Sequence, residues 1–230
     1  MLAGVGLVLD CDAYRDRFAS WSPDGKELAF YSNRDSDYNI YAIHADGSGL
    51  HAVTERTIPG APARAGLLYP VYSPKGDQMV ASGTRSDDTV LFDPRKPWSS
   101  QTPEKLPMAV GSEGWMVPNQ WSPDGARLMG PVLNGSGGTP GVGVYDFATH
   151  KARLISHDSV GYFGFAWIDN KRVVYQTEDN LVLVDVDSGR RKVMPTGIAL
   201  GLGVVVSRDG KTIYATASRA QADLWMGVAK

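Results

Sequence analysis

The sequence predicts an all-β fold, a β-propeller of five four-stranded blades, and two observations carry that expectation. One short motif recurs at blade-like intervals, and β-rich runs follow each copy in the same order. Trp21-Ser22-Pro23-Asp24-Gly25 returns unchanged as Trp121-Ser122-Pro123-Asp124-Gly125, with Tyr72-Ser73-Pro74-Lys75-Gly76 between them. A shortened copy, Trp167-Ile168-Asp169-Asn170-Lys171, and a degraded one, Ser207-Arg208-Asp209-Gly210, come later. Ser22, Ser73 and Ser122 are 51 and 49 residues apart, and the 85 residues from Ser122 to Ser207 hold two shorter units. Four strands per repeat of roughly 40–50 residues is the period of propeller blades.

Each copy reads the same way. An apolar segment ending in an aromatic is the innermost strand. Pro-Asp-Gly then makes a tight turn, because proline presets φ and glycine tolerates φ > 0. A second β-rich run follows, as in Glu27–Tyr31, Gln78–Ser82, Arg172–Gln176 and Thr212–Thr216. The third run is Asn39–His44, Thr89–Phe92, Gly143–Phe147, Leu181–Val186 and Leu224–Val228. Asp46-Gly47-Ser48-Gly49 and Asp187-Ser188-Gly189 turn the chain into a short fourth strand. The units span approximately 13–55, 66–110, 115–156, 160–196 and 200–230, in one domain covering 1–230. The last unit stops after its third strand, and the apolar start of the chain supplies a candidate fourth. Residues 5–10 are expected to close the last blade by pairing onto its open edge. The alternative is a piece of a longer propeller or of a larger multidomain polypeptide.

The run Phe18–Phe30, its continuation Ser32–Asp35 and Asn39–Tyr41, and Asp46–Gly49 through Val53-Thr54 resemble the TolB-type (WD40-like) propeller repeat. The first unit matches throughout, the next two around the turn, and the last two loosely. The resemblance implies a propeller that binds other proteins, and it suggests a periplasmic or otherwise extracytoplasmic setting. The family's usual form has six blades behind a separate α/β domain, and this chain departs from it on both counts.

Hydrophobic residues make up 43% of the 230 and charged residues 21%, a soluble globular profile. A formal net charge of −2 gives no basic excess for nucleic acid. The single cysteine, Cys11, allows neither an intramolecular disulfide nor a thiolate zinc site. The apolar start, Met1–Leu9, lacks a basic n-region and is too short to span a membrane, so no membrane insertion is expected.

Catalytic constellations are missing from the sequence. It has no Gly-x-Ser-x-Gly elbow, no phosphate-cradling Lys-Ser/Thr loop and no His-Glu-x-x-His. His44, His51, His150 and His157 are scattered, and Asp35–Asn39 departs from a calcium loop at Ile40 and Asp46. The innermost strands (Phe18-Ala-Ser, Tyr69-Pro-Val, Asn119-Gln120, Gly164-Phe-Ala and Gly203-Val-Val-Val) carry no acid, as a channel glycosidase would require.

One polar feature repeats. Twelve residues after each turn serine comes Arg34, Arg85, Asn134 or Arg219, and the fourth unit puts Asp179 there. These, with Arg15 and Arg17, are the candidate ligand-binding residues, a rim around one mouth suited to an anionic group. The competing reading has each arginine bracing its own hairpin through a nearby aspartate. Trp98, Trp115 and Tyr162 are candidate interface anchors, whereas Trp21, Trp121 and Trp167 recur at one repeat position and are expected in the core. The expectation is a non-catalytic module, with no cofactor and no metal, presenting a loop-rich face to a protein or peptide partner. The alternatives are a channel-site hydrolase (a glycosidase or metal-dependent lactonase) or a carbohydrate-binding propeller.

Overall fold

A computed structural model of the chain describes residues 14–55, 66–83, 88–207 and 209–217, and these form five antiparallel sheets arranged as the blades of a propeller. Blade 1 runs from inside to outside as β1 (Arg17–Trp21), β2 (Glu27–Ser32), β3 (Asn39–His44) and β4 (His51–Ala52). Blade 2 repeats this with β5 (Leu67–Tyr72), β6 (Met79–Gly83), β7 (Val90–Phe92) and β8 (Glu104–Lys105). Blade 3 holds β9 (Ala109–Val110), β10 (Gly114–Met116), β11 (Gln120–Trp121), β12 (Arg127–Leu133), β13 (Gly141–Asp146) and β14 (Lys151–Ser156). Blade 4 comprises β15 (Phe165–Trp167), β16 (Arg172–Gln176), β17 (Asn180–Asp185) and β18 (Arg191–Pro195). The described part of blade 5 is the hairpin β19 (Leu200–Val206) and β20 (Ile213–Ala217). Residues 5–10, Leu224–Val228, Arg85 and Arg219 lie outside the described residues.

Blade 3 differs from its sequence reading. Its inner strand is split, because both β10 and β11 pair with β12, and β9 adds to β10. Residues 109–114, expected partly in the second unit and partly in the connection to the third, therefore belong to the third sheet.

The turns close as their residues dictate. Ser22 Oγ donates to Asp24 Oδ1 at 2.8 Å and accepts from the Glu27 amide at 2.9 Å, while Gly25 takes φ +70°. Blades 3 and 5 repeat this with Ser122–Asp124 and Ser207–Asp209, both at 2.6 Å. In blade 2 Lys75 holds the acidic position, and Ser73 turns instead to Asp77 at 3.0 Å. Neighbouring turns lean on one another: a side chain at Gly76 would meet Pro23, one at Gly125 would meet Pro74, and the Asp124 amide donates to Asn170 Oδ1 at 3.1 Å. These turns rim one face of the propeller, termed here the turn face; the β2–β3 type hairpins rim the other, the hairpin face.

Apolar side chains fill the seams between blades, which is why β2, β6 and β12 are buried on both faces. Ala29, Tyr31, Ile40, Met79, Val90 and Phe92 join blades 1 and 2. Val80, Leu91, Met116, Leu128 and Tyr145 join blades 2 and 3. Burying such a side chain is worth about 1.5–3 kcal/mol. Trp121 shows the expected core role: its Nε1 donates to the Val71 carbonyl at 3.1 Å, and its ring stacks on Phe147 at 5.0 Å.

Candidate functional site: the axial well

The inner strands of blades 1, 2 and 5 break their register at one repeat position, four residues before the turn serine, and in blade 4 the residue at that position directly precedes the inner strand. There Phe18 takes φ +57°, Tyr69 +56°, Gly164 +91° and Gly203 +126°. Blade 3 interrupts its inner strand at the matching place, and Val117 and Asn119 donate to the Pro131 and Met129 carbonyls across the gap. Such bulges re-aim side chains and cluster where a sheet presents a surface. A bulky residue at positive φ stores of the order of 1–3 kcal/mol, so the packing around Phe18 and Tyr69 must hold them there.

The aromatic rings at these bulges meet across the axis. Phe18 of blade 1 lies 5.3 Å from Phe163 of blade 4, and Tyr69 of blade 2 lies 6.3 Å from Tyr162 of blade 4. Neither pair belongs to adjacent blades, so the contacts span the centre. Phe18 also meets Tyr69 edge-on at 4.8 Å, and Tyr69 meets Tyr31 at 5.5 Å. On the hairpin side of this stopper, burial first, then Tyr31 and Tyr162, push the Tyr69 phenol up to about 12. Burial likewise raises that of Tyr31, with the exposed Arg17 opposing the shift. These hydroxyls stay protonated across the physiological range.

On the other side of the stopper a cavity of about 580 Å³ extends to the turns, lined by residues of all five blades. Phe18 and Phe163 are at its floor. Trp21, Trp121 and the prolines Pro23, Pro70 and Pro74 form apolar walls, with Asn119, Gln120, Ser20 and Ser73 as polar points. No charged side chain among the described residues lines it. Asn119 is held by donating to the Tyr162 carbonyl at 3.1 Å, and Ser20 Oγ accepts from the Tyr72 amide at 3.4 Å. The Gln120 amide has no hydrogen-bond partner among the described residues. Chemically, the well offers stacking, apolar contact and amide hydrogen bonds.

Trp21 corrects its sequence reading. It was expected in the core with Trp121 and Trp167, which are buried, yet it is 52% exposed. The physical reason is local: β1 and β19 do not pack side by side as the inner strands of blades 4 and 5 do, so one Trp21 face is left to the well. Trp98 departs the other way. Expected as an interface anchor, it is 3% exposed and packs edge-on against Phe92 at 5.1 Å in the seam of blades 1 and 2. Trp115 is half-buried in β10, and Tyr162 is half-buried in the stopper.

The polar rim residues go to different tasks. Arg34 braces its hairpin: its guanidinium pairs with Asp16 at 2.7 Å, bonds Ser32 Oγ at 3.0 Å and lies over Tyr41 at 4.9 Å. Asn134 Oδ1 accepts from Ser136 and Gly138 within its own turn. Asp179 is exposed and accepts from Asn180, and the Arg15 amide donates to Asn33 Oδ1 at 2.7 Å. Of the described rim residues, Arg17 is the one placed beside the axial aromatics.

Sequence reasoning did not find the ionic ties between blades 3 and 4. Arg127 reaches both Asp146 at 3.2 Å and Asp187 at 2.8 Å, and Arg191 pairs with Asp158 at 2.9 Å. No sequence signal marks the pairs with Asp187 and Asp158, because their partners lie outside the same repeat unit and meet only after the blades stack; Arg127 and Asp146 face one another within blade 3.

No family model matches the chain. Among curated proteins it is 31% identical over 132 residues to an uncharacterized protein of Agrobacterium fabrum, which covers 54% of this chain and 42% of that one. Solved structures of similar shape include TolB from Acinetobacter baumannii (TM-score 0.59, 18% identity, 89% of this chain and 49% of TolB). They also include a nidogen–laminin complex (0.60, 13%, 88% and 72%) and an oligogalacturonate lyase in complex with manganese (0.57, 14%, 87% and 59%). The chain thus spans under half the length of the curated relative and of TolB, and at these identities the structural likeness is one of fold. Among the described residues no helix is long and apolar enough to cross a membrane. Five repeated sheets around an aromatic-stoppered axis make this chain a β-propeller of TolB-like fold.

Proposed function

We propose that the protein is a non-catalytic binding module whose axial well receives an uncharged segment of a protein or peptide partner. The observation that carries this reading is the lining: aromatics, prolines and the side-chain amides of Asn119 and Gln120, without a charged side chain among the described residues. Pockets of this kind bind by apolar contact, with a few polar groups fixing orientation. The exposed Trp21 is the anchor, since tryptophan is among the residues that dominate interface energetics. An extracytoplasmic setting accords with the TolB resemblance, and the nidogen–laminin neighbour shows that a propeller of this shape occurs in a protein complex.

A catalytic reading has support in the oligogalacturonate lyase neighbour. Binding is favoured here because no group of three His, Cys, Asp or Glu side chains that could hold a metal gathers among the described residues. The test is selection of a randomised peptide library displayed on phage against the whole chain. Peptides with an uncharged run of aromatic, apolar or proline residues should be enriched, and Trp21→Ala should abolish the enrichment while leaving the melting temperature within a few degrees. Enrichment indifferent to Trp21→Ala would refute the well as the site.

A further inference from the structure

We propose that the groove between blades 1 and 2 on the turn face is a charge-reading subsite, taking the acidic and basic side chains that flank the partner segment held in the well. This rests on the reading of the well as a peptide site. The groove, about 680 Å³, is continuous with the well, because Pro23 and Tyr72 line both. Its composition reverses that of the well. Asp24 and Glu27 stand on the blade 1 wall, and Lys75 and Arg95 on the blade 2 wall. A chain leaving the uncharged well over Pro23 therefore passes between walls of opposite sign.

The groups in the groove differ in how far they are committed elsewhere. Arg95 is bound bidentately to Asp93, at 2.8 and 2.9 Å, so its charge is largely matched within the blade 2 wall and Lys75 is the cation offered to the groove. Lys75 has no ionic partner among the described residues. It occupies the repeat position that is aspartate in blades 1, 3 and 5, so this turn alone among those four presents a cation where the others use a carboxylate to bind their own backbone. Tyr72 at the junction is half-buried, and its hydroxyl bonds no described residue. Burial, reinforced by Glu27 and Asp24, pushes that phenol up to about 12, so it remains a hydrogen-bond donor. A phenol donor, an ammonium with no ionic partner among the described residues and the opposing Glu27 carboxylate, with Asp24 tied into its own turn beside it, suit a peptide carrying one acidic and one basic residue next to its uncharged run. Charge complementarity of this kind sets register and rejects wrong partners more than it adds affinity.

The phage selection separates this inference from the reading beneath it. Peptides enriched on the unaltered chain should carry an acidic and a basic residue beside the uncharged run. Lys75→Glu should lower the affinity of one such synthetic peptide about tenfold and turn the selected acidic preference basic, while Lys75→Gln should lower it about threefold. Glu27→Lys should remove the preference for the basic residue. Lys75 is exposed and Glu27 half-buried beside His44, and an unchanged melting temperature would confirm that the variants fold. An uncharged preference that survives with no charge bias, or a bias unmoved by Lys75→Glu, would overturn the groove and leave the well standing. No enrichment on the unaltered chain would overturn both.

Discussion

The seam between blades 3 and 4 and the seam between blades 4 and 5 are built from the same repeat, yet they are packed to different depths. The first encloses Met129, Val142, Val144, Phe165, Trp167, Val173, Tyr175 and further valines, and it is laced by Arg127–Asp187 and Arg191–Asp158. Within it the Tyr175 hydroxyl donates to Asp158 at 2.5 Å. Among the described residues the second buries Ala166, Val174 and Val204 fully, with Ile168, Leu181, Met194, Val206 and Ile213 half-covered. Its described polar tie is Gln176 donating to the Gly201 carbonyl, and Gln176 Oε1 is left buried without a partner. Beyond it Val205 and Tyr214 remain 58% and 56% exposed. The turn motif therefore specifies that a blade forms, and side-chain identity along the strands decides how firmly it is held. In stacked repeats stability is close to a sum of such neighbour interfaces, so the fourth seam should fail before the third.

The comparison breaks most easily at Tyr175. Truncation to alanine should cost about 3–5 kcal/mol, as for other large buried aromatics, and remove one of the donors to Asp158, which keeps Ser156 and Arg191. Urea unfolding should show a single large shift in midpoint; a loss below about 1 kcal/mol would mean that seam 3–4 is not the firm one. A matched pair of glycines at this repeat position in blades 4 and 5 sharpens the contrast. A Cβ at Gly164, φ +91°, would lie 2.4 Å from Gln176 Cγ, whereas one at Gly203, φ +126°, meets nothing within 4 Å. Gly164→Ala should destabilise by about 2–3 kcal/mol and Gly203→Ala by about 1 kcal/mol, the backbone penalty alone. Equal losses would show that blade 5 packs as tightly as blade 4.

Val204→Ala should cost about 1–2 kcal/mol of local rather than global stability. Amide hydrogen exchange should find β19 and β20 opening well before β16 and β17, and the variant should widen that gap. Uniform exchange across both blades would contradict it. The smallest effect is acidic. Hydrogen bonding from Arg95 holds the Asp93 carboxyl down at about 2, against an ordinary 3.8, and Ser22 and Ser207 lower Asp24 and Asp209 likewise. Their folded values lie below the unfolded ones, so this stabilisation is complete above pH ~4 and is lost as pH falls toward 2. Asp24 and Asp209 are solvent-exposed and Asp93 is half-buried at the surface, so the melting temperature should fall by only a few degrees over that window. A flat profile from pH 5 to 2 would show that the turn bonds are not formed in solution.

The blades were legible in the sequence because their signal is local. Pro-Asp-Gly and the aromatic before it fix a turn within five residues, and the structure places β1 to β3, β5 to β7, β13, β15 to β17, β19 and β20 close to the predicted runs. The β9–β10 addition was not legible, because Ala109-Val110 and Gly114–Met116 are too short to carry a period and pair only through the turn at 111–113. The candidate site divides the same way. That the inner strands lack acids can be read directly, and this anticipates an uncharged well. The stopper cannot be read, since Phe18 and Phe163 are distant in sequence and belong to blades that are not neighbours. Trp21 was misjudged for the same reason: its repeat position is that of buried Trp121, and only the spacing of β1 from β19 makes it accessible.

The stopper has a consequence for the topology of recognition. Phe18 meets Phe163 across the axis and Tyr69 meets Tyr162, so among the described residues these rings stand in the way of a polymer threaded from one face to the other and leave the well as a shaft open toward the turns. Whatever occupies the shaft must enter and withdraw by the same door. A mid-chain stretch of a partner can do so only as a doubled-back loop, whereas a free end can enter singly. The ring contacts at 5.3 and 6.3 Å thus limit an occupant by its connectivity as well as its chemistry, to a terminus or the tip of a hairpin.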